Sequence, residues 1–114
     1  MNDNLFKRHV LRAVNTYKKL LDTHYGTGDP VEELSRKFGI SRYVLQQGFR
    51  KTYGEGVREY KLRIRMEFSR HLLDNGKDVK EVAQELNYAE ARAFTTAFKK
   101  YFGYTPTVFC RVLN

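Results

Sequence analysis

Apolar residues recur every three or four positions along most of this chain, a period that predicts helices. Between Leu5 and Tyr25 they fall at Phe6, Val10, Ala13, Val14, Tyr17, Leu20, Leu21 and Tyr25, with Lys and Arg filling the opposite side, so one amphipathic helix is expected. Gly26-Thr27-Gly28 closes it. Asp29 then offers a side-chain cap, Pro30 suits a first helical position and Glu32 completes a capping box, so a short helix should run from Pro30 to Phe38. Gly39 supplies the left-handed backbone of a sharp reversal, and Ser41 caps a second helix that reaches about Tyr53. From Val57 to about Asp74, Tyr60, Ile64, Phe68 and Leu72 stand four apart, which predicts a helix of about 17 residues spanning roughly 25 Å. Asn75-Gly76 stops that helix.

The same pattern then returns. Val31-Glu32-Glu33-Leu34-Ser35 answers to Val79-Lys80-Glu81-Val82-Ala83, Phe38-Gly39-Ile40 to Leu86-Asn87-Tyr88, and Phe49-Arg50-Lys51 to Phe98-Lys99-Lys100. The correspondence continues through Gly54 and Gly103 to Tyr60 and Phe109. The second copy carries one extra residue, which the pairing of Val44 with Arg92 and of Leu45 with Phe94 locates near Ala93. Asp78 caps with Glu81 three residues on, Asn87 takes the left-handed place of Gly39, and Ala89 falls where Ser41 capped, leaving Glu90 to favour the helix start by its charge. Thr105-Pro106 opens a closing helix that ends near Val112.

The expected fold is therefore all-α, with about seven helices. Residues 1–28 form an amino-terminal packing helix, 29–56 a first helix-turn-helix, 57–75 a linker helix, and 76–114 a second helix-turn-helix with the closing helix. Small residues, Ser35 and Gly48 in the first copy and Ala83 and Ala97 in the second, let helices approach closely. A glycine inside a helix costs about 1 kcal/mol relative to alanine, so Gly48 is read as making room for a neighbour.

Composition changes this picture in one respect. At 114 residues the two lobes are too small to bury separate large cores, and no apolar run approaches the roughly 18 residues that would span a membrane. The formal charge of +8 is uneven. Ten Lys and Arg against three Glu lie between Arg36 and Leu73, whereas basic and acidic residues nearly balance elsewhere. Such a concentration of positive charge suggests a polyanionic partner. The lone Cys110 lies among Phe109, Val112 and Leu113 and is read as packing. His9, His24 and His71 are scattered, so no catalytic residue, metal site or cofactor is expected.

Tyr60, Arg65, Leu72 and Leu73 in the linker, followed by Phe94, Phe98, Lys99, Phe102, Gly103, Thr105 and Pro106, complete a pattern over about residues 29–109 that resembles the DNA-binding domain of the AraC/XylS family of bacterial transcription regulators. Ser69 stands where that family usually has Ala, and Asn87-Tyr88-Ala89 where Gly-Phe-Ser is common. The resemblance implies a cytoplasmic, non-enzymatic regulator, usually an activator, that binds double-stranded DNA and meets RNA polymerase. The ligand-sensing domain usual in the family is absent from this chain.

On that reading the exposed side of the first recognition helix consists of Arg42, Tyr43, Gln46, Gln47 and Arg50, once Val44, Leu45 and Phe49 are assigned to the core. Gln46 or Gln47 could pair bidentately with adenine and Arg42 or Arg50 with guanine, and Tyr43 could reach a thymine methyl or a phosphate. The matching set in the second helix is Glu90, Arg92, Thr95, Thr96 and Lys99. The resemblance implies DNA contact at Tyr43, Gln46, Gln47, Arg92, Thr95 and Thr96. Phosphate contacts are expected from Lys51, Lys100 and the helix starts near Ser41 and Asp78. The rival reading is a helical protein- or RNA-binding module with a basic surface. RNA recognition favours exposed stacking aromatics, whereas most aromatics here fall on core positions, leaving Tyr43 as the main candidate.

Overall fold

The computed structural model describes residues 2–113, with side chains for 4–112, and among these residues it holds seven helices and no strand. They are α1 (Asn2–Thr23), α2 (Val31–Phe38), α3 (Arg42–Tyr53), α4 (Val57–Asp74), α5 (Val79–Glu85), α6 (Ala91–Phe102) and α7 (Pro106–Leu113). The all-α, seven-helix expectation is what is found. The chain divides into two compact units, Met1–Arg63 and Ile64–Asn114, with the division falling inside α4.

In the first unit α1 lies against α2 and α3 and contributes Ala13, Val14, Tyr17 and Leu21 to the core, all at most 1% exposed. Phe49 of α3 is the centre. Its ring meets those of Tyr17, Tyr53 and Tyr60 edge-on at centroid distances of 5.6, 4.8 and 5.4 Å. Edge-to-face contacts of this kind add to what burial alone contributes. Gly48 makes room for α1 as expected of a helical glycine. A Cβ there would stand 3.0 Å from Val14 Cγ2 and 3.2 Å from Val10 Cγ1. Helix α1 ends earlier than its apolar pattern suggested, because Tyr25 takes a left-handed φ of 53° and is left half-exposed. Phe6, assigned by periodicity to the packing face, is 55% exposed.

The capping box expected at Asp29 and Glu32 does not form. Asp29 accepts from the Val31 amide at 3.1 Å and from the Tyr17 hydroxyl at 2.7 Å, while the Glu32 carboxylate turns to Arg42. Burial, and then the Asp29 carboxylate, push the Tyr17 phenol above the ordinary tyrosine range, so it stays a proton donor. This bond ties the α1–α2 connection to the core. The hydroxyl of Tyr60 reaches back to Asp22, which also pairs with Lys18.

The second unit is built around Phe98. That ring is fully buried among Phe94, Phe102, Tyr104 and Phe109, with centroids 5.7, 4.6, 6.0 and 6.2 Å away. Met66, Leu72 and Leu73 of α4 and Val82, Ala83 and Leu86 complete the apolar interior. Ser69 is also fully buried, and its hydroxyl donates to the Met66 carbonyl at 2.6 Å, which is how a serine is accommodated there. Cys110 is half-buried in α7. Asp78 forms the predicted capping box. It accepts from the Glu81 amide at 2.8 Å, and its own amide donates to the Glu81 carboxylate at 3.0 Å. Asp78→Ala should therefore lower stability by about 1 kcal/mol, read from the midpoint of a urea titration, and an unchanged midpoint would contradict the role of this cap.

Candidate nucleic-acid interface

Each unit ends its first short helix with one left-handed residue, Gly39 at φ 63° and Asn87 at φ 62°, and then starts a 12-residue helix. The N-cap of α3 is Ser41, whose hydroxyl accepts from the Val44 amide at 3.1 Å. The N-cap of α6 is Glu90, with extended backbone and no side-chain cap bond. One residue, Ile40, separates Gly39 from Ser41, but two, Tyr88 and Ala89, separate Asn87 from Glu90. The extra residue of the second copy is thus absorbed in the turn, and not near Ala93 within the helix as the sequence comparison implied. Ala89 is accordingly not the cap.

This shift sets the register. From the caps onward Leu45 matches Phe94, Phe49 matches Phe98 and Gly54 matches Gly103, so Arg92 occupies the place of Tyr43, while Ala91 stands where Arg42 stands. Leu45, Phe49, Phe94 and Phe98 are buried, which leaves the opposite faces of both helices to solvent. On α3, Arg42, Tyr43, Gln47, Arg50 and Lys51 are exposed, Tyr43 to 71%. Val44, assigned to the core by periodicity, is only half-buried. It lines a groove with Val10, Leu11 and Gly48. Gln46 is also half-buried, with its side chain against the Tyr17 hydroxyl. On α6, Arg92, Thr96, Lys99 and Lys100 are exposed and Thr95 is half-buried. Glu90 is exposed ahead of the first turn, where its charge favours the helix N-terminus.

The residues expected at the phosphates divide differently. Ser41, Lys51 and Lys100 are all exposed, though the Ser41 oxygen is already engaged as a cap, leaving its hydrogen as the free donor. The start of α5 is a poor phosphate seat, because the Asp78 and Glu81 carboxylates themselves occupy its amides. What sequence reasoning missed are the acidic partners on α2 and α4. Glu32 Oε1 lies 2.8 Å from Arg42 Nη1, and Glu59 Oε1 lies 3.5 Å from Arg50 Nη2. No local signal marks such pairs, since they join different helices. Among the described residues no group of His, Cys, Asp and Glu could hold a metal ion, and no helix is long and apolar enough to cross a membrane.

Residues 34–111 match the model of a helix-turn-helix domain family. The chain is 36% identical over 97 residues to the Msm operon regulatory protein of Streptococcus mutans, an alignment that covers 84% of this chain and 35% of that protein. The chain thus spans about a third of that relative's length. Its fold is similar to the C-terminal domain of AraT, a response regulator from Geobacillus stearothermophilus, with a TM-score of 0.77, 24% identity and coverage of 88% of this chain and 84% of that one. It is also similar to the DNA-binding domain of AdpA, a global transcriptional factor solved in complex with a target DNA, with a TM-score of 0.74, 20% identity and coverage of 87% and 90%.

Proposed function

Because the chain belongs to the AraC type of helix-turn-helix domain, we propose that it is a sequence-specific DNA-binding element of a transcription regulator, reading duplex DNA with α3 and α6 in successive major grooves. The observation that carries this reading is the common register of the two helices. Tyr43, Gln47 and Arg50 on α3, and Arg92, Thr96 and Lys99 on α6, are exposed opposite buried pairs of the same spacing. An α-helix fits the major groove, and these residue types match the donor and acceptor patterns of base edges there. Lys51, Lys100 and the Ser41 hydroxyl supply phosphate contacts, which set affinity without carrying sequence information. Gln46, turned toward Tyr17, contributes less than Gln47.

The two helices differ in sequence, so one chain prefers an asymmetric site. Activation through RNA polymerase is the outcome we propose, in the bacterial cytoplasm where the chromosome lies. Selection from random duplexes, followed by titration of the selected duplex, a random duplex and single-stranded RNA at two salt concentrations, tests the reading. The selected duplex should bind most tightly, and log K should fall against log salt with a slope of about −5 if roughly six phosphates are neutralised. Equal or tighter binding to the RNA would instead support an RNA-binding module.

A further inference from the structure

Both arginines on the exposed face of α3 are engaged by glutamates from other helices. Arg42 gives one terminal nitrogen to Glu32 of α2 at 2.8 Å, and Arg50 gives one to Glu59 of α4 at 3.5 Å. The second pair lies over Gly56, where a Cβ would come within 2.9 Å of Arg50 Nη2 and 3.3 Å of Glu59 Oε1, so the missing side chain leaves the space the pair uses. All four side chains are 59–65% exposed, and ion pairs that exposed add little to stability. Stability is therefore a poor reason for two carboxylates beside a surface meant for a polyanion.

The second unit lacks both. Helices α2 and α5 begin at the matched residues Val31 and Val79, which puts Lys80 in the place of Glu32. Helices α4 and α7 begin at Val57 and Pro106, which puts Val108 in the place of Glu59. Among the described residues no carboxylate pairs with Arg92, Lys99 or Lys100. The two heads therefore share a scaffold and differ in how their cations are held.

We infer that Glu32 and Glu59 are positioning residues that aim Arg42 and Arg50 at base edges, making the first unit the more discriminating of the two and leaving the second to grip DNA of any sequence more freely. A guanidinium has five donors. A carboxylate that takes one terminal nitrogen leaves the remainder of the fork for a guanine edge, and it removes side-chain freedom before binding, so less is lost on complex formation. An untethered arginine beside DNA divides between base edges and the phosphates within reach. A tethered one does so less, and its glutamate adds repulsion toward the backbone.

This inference rests on the DNA-binding reading, and its test separates the two. In the whole chain, Glu32→Ala, Glu59→Ala and the double variant are compared with the unsubstituted protein and with Glu33→Ala, which removes a charge from the same turn of α2 where no arginine is paired. Fluorescence anisotropy is measured on the selected duplex, on duplexes altered at one base pair each, and on a random duplex. Glu32→Ala should bind the random duplex roughly two- to fivefold more tightly without a gain on the selected one, with preference lost at the base pair that Arg42 reads. Glu33→Ala should raise both affinities by one common factor. If Glu32→Ala also shifts both duplexes equally, the glutamates act only through net charge and the inference fails. A selectivity unchanged or increased in Glu32→Ala overturns it as well. An unsubstituted protein with no sequence preference removes the DNA-reading premise itself. Matching thermal midpoints exclude a folding defect as the cause.

Discussion

Phe98→Ala should lower stability by about 3–5 kcal/mol, the largest effect expected of any single substitution in the second unit. The magnitude follows from what the ring touches. It is fully buried and meets four other aromatic rings within 6.2 Å, so truncation removes its transfer energy and leaves a cavity lined by rigid groups that cannot close over it. Domains of this size have only about 5–15 kcal/mol to lose. Circular dichroism during a urea titration reads the effect directly. Tyr101→Ala is the control on the same helix, since that side chain is 38% exposed, and its cost should stay near 0.5 kcal/mol. A loss at Phe98 no greater than at Tyr101 would show that the aromatic cluster is not what holds this unit together. The DNA affinity of Phe98→Ala should fall with the folded fraction, because α6 owes its exposed face to the burial of Phe94 and Phe98.

The helices were legible in the sequence because local chemistry sets their limits. Ser41 and Asp78 cap as expected, Gly39 and Asn87 take left-handed turns, and α4 begins and ends at the residues its four-residue spacing indicated. Interactions between helices were not legible. Asp29 looked like one half of a capping box with Glu32, but Tyr17, twelve positions earlier, claims it and frees Glu32 for Arg42. Periodicity gave Gln46 and Gln47 equal standing, and only the packed α1 separates them by bringing Tyr17 against Gln46. The extra residue of the second copy was misplaced for a related reason. Matching residue types drew the break into α6, yet an insertion inside a helix disrupts its hydrogen-bond ladder, whereas a turn lengthens at small cost. Tyr88 and Ala89 take it up between Asn87 and Glu90, and the helix stays regular.

That corrected register sharpens the largest effect expected on binding. Arg92→Ala should cost about 1–3 kcal/mol on the selected duplex and relax preference at one base pair, because a bidentate arginine–guanine contact carries that much discrimination. Arg92 is exposed in the first turn of α6, at the position Tyr43 holds on α3. Lys100→Ala should behave otherwise. Its contact is with phosphate, so affinity should fall by a similar factor on every sequence and the salt slope should shrink by about 1. Anisotropy titrations of both variants against the selected duplex, its single-base variants and random DNA distinguish the two roles. Uniform losses for Arg92→Ala would move that arginine to the phosphate backbone and leave Thr95 and Thr96 as the base readers of α6. Loss confined to one base pair, set against a general loss for Lys100→Ala, would establish that the α6 face is divided between reading and gripping.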